Sequence, residues 1–213
     1  MKKHIVVIDY GSGNLRSVVK ALEHVAEKGT TISLSSESKA LEDATHIVLP
    51  GVGAFGDCAE GLQSLAGMKE ALEHAVFTDK KPFLGICVGM QLLAEQGLEH
   101  GAHQGLGWIK GKVTPIDDQN GSLKIPHMGW NELVIKQSHP IFEGIKSGDH
   151  AYFVHSYHFE CEEKTCIIGE VEYGAPLVAV LAKDNIVATQ FHPEKSQEAG
   201  LQLLRNFMRM PSC

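Results

Sequence analysis

The chain has 213 residues, of which 43% are hydrophobic and 21% charged; this is enough for one substantial core and favours a single domain over residues 1–213. A formal net charge of -7 argues against nucleic acid as the main partner, because phosphate binding needs a basic surface. No apolar stretch is long enough to span a bilayer, and the apolar run after residues 1–3 is too short for a secretory leader, so we expect a soluble, cytoplasmic protein.

The first half of the chain alternates short apolar runs with segments of helical periodicity. Apolar residues that recur every three or four positions predict helices over residues 15–25 and 62–76, and a third helix that includes Leu92 and Leu93. Apolar runs that end in turn residues predict buried strands at residues 4–9, 30–34, 46–49 and 82–86. This alternation predicts an α/β fold, an open and mostly parallel sheet with helices on both faces.

The second half has shorter runs, separated by Gly, Pro and Asp. We expect them to form antiparallel strands that extend or flank the parallel sheet. The runs are residues 112–114, 133–135, 151–159, 166–171 and 177–181. The chain closes with an amphipathic pattern over residues 201–208, which predicts a final helix with Ser196 at its N-cap.

A cysteine stands between two glycines after the fourth predicted strand, in the sequence Gly-Ile-Cys-Val-Gly-Met-Gln at residues 85–91. Small residues two before and two after a nucleophile allow a strand to turn abruptly into a helix. Cys87 would then stand at the carboxyl end of a strand, where open α/β sheets bind ligands. The backbone N–H of Val88 would point at the attacked carbonyl, and Gln91 would share a helix face with Cys87. The alternative is a packed junction with an inert cysteine, which this motif alone does not exclude.

A second motif, Phe-His-Pro-Glu at residues 191–194, follows another apolar run. Pro193 cannot donate a ladder hydrogen bond, so the strand ends there. His192 and Glu194 are two apart in extended chain and therefore face the same way. The carboxylate would fix the imidazole tautomer and leave the other ring nitrogen to take the proton of Cys87. Alone, the motif is more often a strand-ending turn with an idle glutamate; together with the Cys87 motif it indicates amide hydrolysis through a thioester.

The two motifs, in this order and separation, resemble those of the class-I, triad-type glutamine amidotransferases, and the resemblance extends over essentially the whole chain. Within that family, five segments look like the glutaminase subunits of imidazole glycerol phosphate synthase, an enzyme of histidine biosynthesis. The segments are residues 8–15, 50–55, 126–131, 152–157 and 190–196. The resemblance implies the class-I glutaminase fold and hydrolysis of glutamine to glutamate and ammonia.

The resemblance also implies catalytic roles for individual residues. Cys87 would be the nucleophile, His192 the general acid and base, and Glu194 the orienting carboxylate. The oxyanion would be held by the backbone N–H of Val88 together with that of Val52 or Gly53. A modest rotation of a peptide in residues 50–53 would switch activity, since such donors act on the charge of the tetrahedral intermediate.

Substrate and partner contacts follow from the same resemblance. The predicted glutamine contacts are Gln91, Glu99, Ser156 and Tyr157. The family often has a serine just ahead of this Glu99, whereas residues 96–98 here are Gln, Gly and Leu. The predicted partner-facing residues are Asn14, Arg16, Met128 and Trp130, and for Trp130 a place in the core is an equal alternative.

No cofactor and no metal are predicted. The glycine-rich segment 9–14 follows a strand, but a dinucleotide-binding fingerprint needs a third glycine at the position of Arg16. Cys161 and Cys166 have no second Cys or His pair at zinc spacing. The odd number of cysteines, five with Cys213 included, indicates free thiols in a reducing compartment.

A separate protein is expected to use the ammonia, because nothing in the sequence resembles a synthase domain or an ATP-binding loop. Free ammonia is mostly protonated at neutral pH and is then a poor nucleophile, so direct transfer favours a bound partner. The resemblance implies a (β/α)8-barrel cyclase in a heterodimer. That partner would form imidazole glycerol phosphate and an aminoimidazole carboxamide ribonucleotide.

Three other functions stay open at this point. One is a glutaminase subunit of another synthase, such as anthranilate or aminodeoxychorismate synthase, although segments 51–55, 127–131 and 153–157 speak against it. Another is a stand-alone cysteine hydrolase, such as a γ-glutamyl peptidase, which would be fully active alone. The third is a non-enzymatic scaffold, which would have no use for a cysteine, histidine and glutamate together.

Overall fold

The structure is a computed structural model that describes residues 2–211, and within them thirteen strands and five α-helices. The strands are β1 (His4–Ile8), β2 (Thr31–Ser35), β3 (His46–Gly51), β4 (Phe83–Cys87), β5 (Gln96–Gly97), β6 (His103–Gln104), β7 (Gly111–Pro115), β8 (His127–Ile135), β9 (His150–His155), β10 (Tyr157–Cys161), β11 (Ile167–Glu172), β12 (Pro176–Lys183) and β13 (Ile186–Thr189). The helices are α1 (Leu15–Val25), α2 (Phe55–Ser64), α3 (Met68–Glu73), α4 (Val88–Gln91) and α5 (Gln197–Arg209).

The main sheet has nine strands, in the order β2-β1-β3-β4-β13-β12-β11-β8-β9. The pairs from β2 to β13 are parallel, and those from β13 to β9 are antiparallel. A second sheet of four short strands has the order β10-β7-β5-β6. The predicted α/β fold, a parallel sheet with antiparallel strands added by the second half, is confirmed.

Helices flank the sheet because each has an apolar stripe to bury. α1 packs against α5, while α2 packs against α3 and α4. The bounds of α1 agree with the predicted helix over residues 15–25, since Val18 and Leu22 lie in the core. The central strands β3 and β4 are buried along their whole length, as expected for strands covered on both faces.

Two helix predictions are wrong in extent. The predicted helix over residues 62–76 is divided into α2 and α3, because the chain leaves helical geometry at Leu65 and Gly67 takes a left-handed φ of 67°. Leu92 and Leu93 follow α4 instead of extending it. After Gln91 the backbone bonds tighten, as the N–H of Leu93 donates to Met90 O, and the chain turns toward β5.

The predicted run over residues 151–159 is two strands in different sheets. β9 pairs with β8 in the main sheet, so that His155 lies opposite His127. β10 pairs with β7 in the small sheet, so that Tyr157 lies opposite Pro115. The chain therefore crosses from one sheet to the other at Ser156.

Among the described residues, the four cysteines other than Cys213 are free thiols and all are buried; Cys213 lies outside the described range. No helix within residues 2–211 has both the length and the apolar character needed to cross a bilayer.

Candidate active site

A cavity of about 290 Å³ opens where the parallel strands end, a size suited to a ligand as small as an amino acid. The main-sheet order sets β3, β4 and β13 side by side, so the segments after them meet at one edge. Nine of the predicted site residues line the cavity, namely Val52, Gly53, Cys87, Val88, Gln91, Glu99, Ser156, Tyr157 and His192, and three others do so without having been predicted, namely Pro126, Val154 and His155.

Cys87 occupies an abrupt strand-to-helix turn. Its backbone has φ 55° and ψ -113°, a conformation that costs a non-glycine residue about 1–3 kcal/mol. The turn lies against β3, because a Cβ at Gly89 would overlap Leu49 O, and one at Gly85 would meet Gly89 O at 2.8 Å. The two glycines of the motif are therefore required by close backbone contact, as the sequence predicted. α4 has only four residues, so its dipole adds little at the sulfur.

His192 is oriented by a buried carboxylate. Its Nδ1 lies 2.8 Å from Glu194 Oε1, and both side chains are fully buried. A carboxylate accepts, so Nδ1 carries the proton and Nε2 is left for another group. Within residues 2–211 Nε2 has no hydrogen-bond partner, and both the ring and Cys87 line the cavity.

The environment of His192 favours the imidazolium. Burial lowers its pKa, but the Cys87 sulfur and the Glu194 carboxylate outweigh burial and raise the pKa to about 9. A thiol paired with an imidazole can act as a nucleophile, and the imidazole can pass the thiol proton to a leaving group. The geometry thus supports the predicted grouping of Cys87, His192 and Glu194.

Ser196 and Asn14 make hydrogen bonds to His192 and Glu194. Ser196 precedes α5 as predicted, but its hydroxyl makes no cap and instead donates to His192 O at 2.7 Å. Asn14 was predicted to face a partner; its side-chain amide donates to Glu194 Oε1 at 2.5 Å. Asn14 and His192, about 180 positions apart in the sequence, thus make hydrogen bonds to the same oxygen of Glu194.

The predicted oxyanion segment is held by α2 and by the turn after β1. Tyr10 Oη donates to Pro50 O at 2.6 Å, and the Cys58 thiol donates to Val52 O at 3.5 Å. The N–H of Val52 donates to Ser12 Oγ at 2.8 Å. Since one N–H has one proton to donate, Val52 can serve an oxyanion only after it leaves Ser12.

The predicted glutamine contacts form one wall of the cavity with their polar groups ordered. Gln91 Nε2 donates to Tyr157 O at 3.1 Å and to Gln190 Oε1 at 3.0 Å. Glu99 Oε2 accepts from the N–H of Phe55 at 2.7 Å, at the start of α2. Ser156 is the residue at which the chain changes sheets.

The remaining predicted partner-facing residues are on the surface. Arg16 is exposed, and on β8 Met128 is 62% exposed and Trp130 46%. Trp130 meets Tyr152 edge to face with ring centroids 5.9 Å apart. The alternative that Trp130 belongs to the core is wrong, because nearly half of its surface is accessible.

Three residues with clear roles in the site were missed from the sequence. Ser12 holds Val52; Gln190 Nε2 lies 3.8 Å from Cys87 Sγ and its Oε1 binds Gln91; His155 lines the cavity. Gln190 had a signal, because it lies two residues before His192 in extended chain and so faces the same way. Ser12 and His155 depend on contacts between distant segments and gave none.

Comparisons with known proteins agree with this site. A family model described as "Glutamine amidotransferase class-I" matches residues 6–210. The chain is 52% identical over 209 residues to "Imidazole glycerol phosphate synthase subunit HisH" of Rhodospirillum rubrum, with 96% of this chain and 98% of the relative covered. It is 49% identical over 211 residues to the protein of that name from Mesorhizobium japonicum, with the same coverage.

Solved structures share the fold at low sequence identity. "Structure of PurLQS from Thermotoga maritima" superposes with a TM-score of 0.75 at 20% identity, covering 97% of this chain and 98% of the other. A glutamine amidotransferase from the same organism superposes with a TM-score of 0.68 at 17% identity, covering 91% of this chain and 77% of the other.

Replacing the Glu194 carboxylate by an amide in Glu194→Gln is expected to lower the pKa of His192, because the carboxylate stabilises the imidazolium. An opposite charge at this distance changes a pKa by about 1 to 3. The titration of the His192 ring, followed by NMR, should therefore have its midpoint at a lower pH than in the unsubstituted protein. Glu198→Gln removes an exposed carboxylate that pairs with Arg205 and should leave the midpoint in place. Equal midpoints in all three proteins would contradict the assignment.

Proposed function

This chain belongs to the class-I glutamine amidotransferase family, and on that premise we propose that it is the glutaminase subunit of an imidazole glycerol phosphate synthase, with residues 1–213 as its single domain. The observation that carries the proposal is a cavity in which Cys87 and the His192–Glu194 pair converge, in a chain about half identical to subunits of that name over nearly their full length. The alternatives of another synthase or a stand-alone hydrolase have no comparable observation in their favour.

The reaction follows from the arrangement of the three side chains. His192 Nε2 holds the proton of Cys87, and the sulfur attacks the side-chain amide carbon of glutamine as a thiolate, which forms a tetrahedral intermediate with a charged oxygen. The imidazolium of His192 gives its proton to the nitrogen, the carbon–nitrogen bond breaks and ammonia leaves. The remaining γ-glutamyl thioester is attacked by water, from which His192 takes a proton; the carbon–sulfur bond then breaks, glutamate is released, and the Cys87 sulfur and the protonated His192 return to their starting state. A pKa of His192 raised to about 9 keeps the needed proton on the ring at neutral pH.

Binding of the substrate is proposed to use the part of the cavity wall formed by Gln91, Glu99, Ser156 and Tyr157. Ser156 and Tyr157 offer backbone groups there, and Gln91 and Glu99 offer an amide and a carboxylate. The α-amino and α-carboxylate groups of glutamine need such opposite partners. The side-chain amide is then left to point at Cys87.

The ammonia is proposed to pass to a (β/α)8-barrel cyclase bound as a heterodimer. Met128 and Trp130 are exposed on β8, and aromatic residues and methionine are enriched at protein interfaces. Arg16 is a further exposed candidate. The amino end of β8 adjoins Pro126, which lines the cavity, so a partner on this strand would lie close to the site of ammonia release.

Activity is proposed to depend on that partner through Val52. Its N–H donates to Ser12 Oγ at 2.8 Å, so in this conformation Val52 cannot join Val88 as an oxyanion donor. Loss of one such donor costs about 100- to 1,000-fold in rate in other enzymes. Partner binding that turned this peptide toward the cavity would supply the donor.

Glutamate release from glutamine tests the function, with the purified chain alone and then with a barrel cyclase and its nucleotide ligand. We expect slow release alone and an increase of about 100-fold or more in the complex. Cys87→Ala should abolish release in the complex but still bind the cyclase, because the sulfur lies inside the cavity and not on β8. Full activity of the chain alone would favour a stand-alone hydrolase, and no activity in either setting would favour a scaffold.

Removing the hydroxyl in Ser12→Ala should raise glutamate release by the chain alone, because Val52 loses the acceptor that holds its N–H. A single hydrogen bond of this kind contributes about 0.5–1.5 kcal/mol, so the increase should be about 3- to 10-fold. Ser17→Ala, at an exposed position of α1, is the matched control and should have no effect. A rate for Ser12→Ala no higher than that of the control would argue against this role of Ser12.

A further inference from the structure

Two buried histidines contact each other beside the cavity, which His155 lines and His127 does not. His127 on β8 and His155 at the end of β9 are opposite in the sheet, and His127 Nδ1 lies 3.0 Å from His155 Nε2. Both residues are more than nine-tenths buried. The proposed reaction assigns no role to either ring.

The contact of His127 with Asn131 shows which nitrogen of the His127 ring carries the proton. Asn131 has a defined orientation, because its Oδ1 accepts from the N–H of Glu132 at 2.8 Å and its Nδ2 donates to Glu172 O at 3.0 Å. The same Nδ2 lies 3.1 Å from His127 Nε2. That ring nitrogen must accept, so the proton of His127 is on Nδ1.

The contact of His155 with the Tyr157 carbonyl shows independently which nitrogen of the His155 ring carries the proton. His155 Nδ1 lies 2.9 Å from Tyr157 O, and a carbonyl can only accept, so the proton is on Nδ1. His155 Nε2 is then bare and accepts from His127 Nδ1. The tautomers assigned from Asn131 and from Tyr157 are consistent with each other, and every donor in the hydrogen-bond chain from Asn131 to Tyr157 meets one acceptor.

The chain of hydrogen bonds ends on the backbone of the glutamine wall. Tyr157 O accepts from His155 Nδ1 and from Gln91 Nε2 at 3.1 Å. Gln91 Nε2 also reaches Gln190 Oε1, and Gln190 Nε2 reaches Cys87 Sγ at 3.8 Å.

We infer that His127 and His155 are positioning residues for glutamine: the neutral pair, protonated on Nδ1 in both rings, fixes the Tyr157 carbonyl and through it Gln91 and the cavity wall. The inference rests on the proposed glutaminase function, whose substrate the wall would bind. A second proton on either ring would set an N–H against an N–H, at His127 Nδ1 or at Asn131 Nδ2. The pair therefore works only in its uncharged form.

The surroundings support the uncharged form. His127 is stacked between Phe153 and Tyr173, with ring centroids 4.8 Å and 4.0 Å away. Burial lowers the pKa of His127 to about 4, and burial, with smaller effects of neighbouring histidines, lowers that of His155 to about 3. A neutral ring also adds no positive charge beside the imidazolium of His192.

Two substitutions at one position separate positioning from mere packing. In His155→Leu the Tyr157 carbonyl loses one of its two donors and keeps Gln91, and we expect the KM for glutamine in the cyclase complex to rise about 10-fold, with kcat changed less than KM. In His155→Asn the side-chain nitrogen stands where Nδ1 stood and can still donate to Tyr157 O, so the KM should recover to within about 3-fold of the unsubstituted value. His150→Leu, at an exposed position of the same strand, should leave KM unchanged.

An unchanged KM in His155→Leu, or equal losses in His155→Leu and His155→Asn, would overturn the inference. Thermal unfolding of each variant shows whether a loss comes from unfolding instead.

The ring tautomers give a readout that needs no activity. In protein with ¹⁵N-labelled histidine rings, both His127 and His155 should show a protonated Nδ1 and a bare Nε2 at pH 6 to 8. A protonated Nε2 on either ring would overturn the inference. If the unsubstituted complex released no glutamate, the proposed function and the role in glutamine binding would both fall, and the tautomers would still show whether the hydrogen-bond chain exists.

Discussion

The contact between the turn at Cys87 and the neighbouring strand β3 is the constraint on which the site depends. Gly89 packs so tightly against Leu49 O that any Cβ would overlap it, and this contact holds Cys87 at a positive φ. The strain is stored in a residue whose sulfur must stand at the sheet edge. β3 ends at Gly51, opposite Cys87 in the register, so the same contact places the proposed oxyanion segment beside the sulfur.

Sheet order then brings His192 to the same edge of the sheet as Cys87, although about a hundred residues separate them in sequence. β13 is the neighbour of β4, with Thr189 opposite Ile86, and the chain beyond Thr189 leads directly to His192. The turn after β1 enters from the other side and reaches both partners, through Ser12 on Val52 and Asn14 on Glu194. One loop thus contacts both the proposed oxyanion segment and the Glu194 carboxylate.

Apolar periodicity was enough to predict the parallel strands, α1 and the α/β class, because these follow from local burial. The motifs at residues 85–91 and 191–194 were enough to predict that Cys87, His192 and Glu194 come together, because the glycines of the first motif and the proline of the second restrict the local backbone. Contacts set by tertiary register were not accessible: nothing local marks the change of sheets at Ser156 or the pairing of His127 with His155. The apolar spacing over residues 62–76 continues through Gly67 and so predicted one helix. The helix is divided there because Gly67 takes a left-handed conformation, which apolar spacing does not indicate.

The proposed chemistry depends on a covalent γ-glutamyl thioester at Cys87 in this cavity. The direct measurement is the mass of the Cys87 peptide after the cyclase complex has been mixed with glutamine, quenched in acid during turnover and digested. We predict a γ-glutamyl adduct on Cys87 and on no other cysteine, which disappears as glutamine is consumed. Release of glutamate with no adduct at any quench time, or an adduct on a different cysteine, would contradict this chemistry.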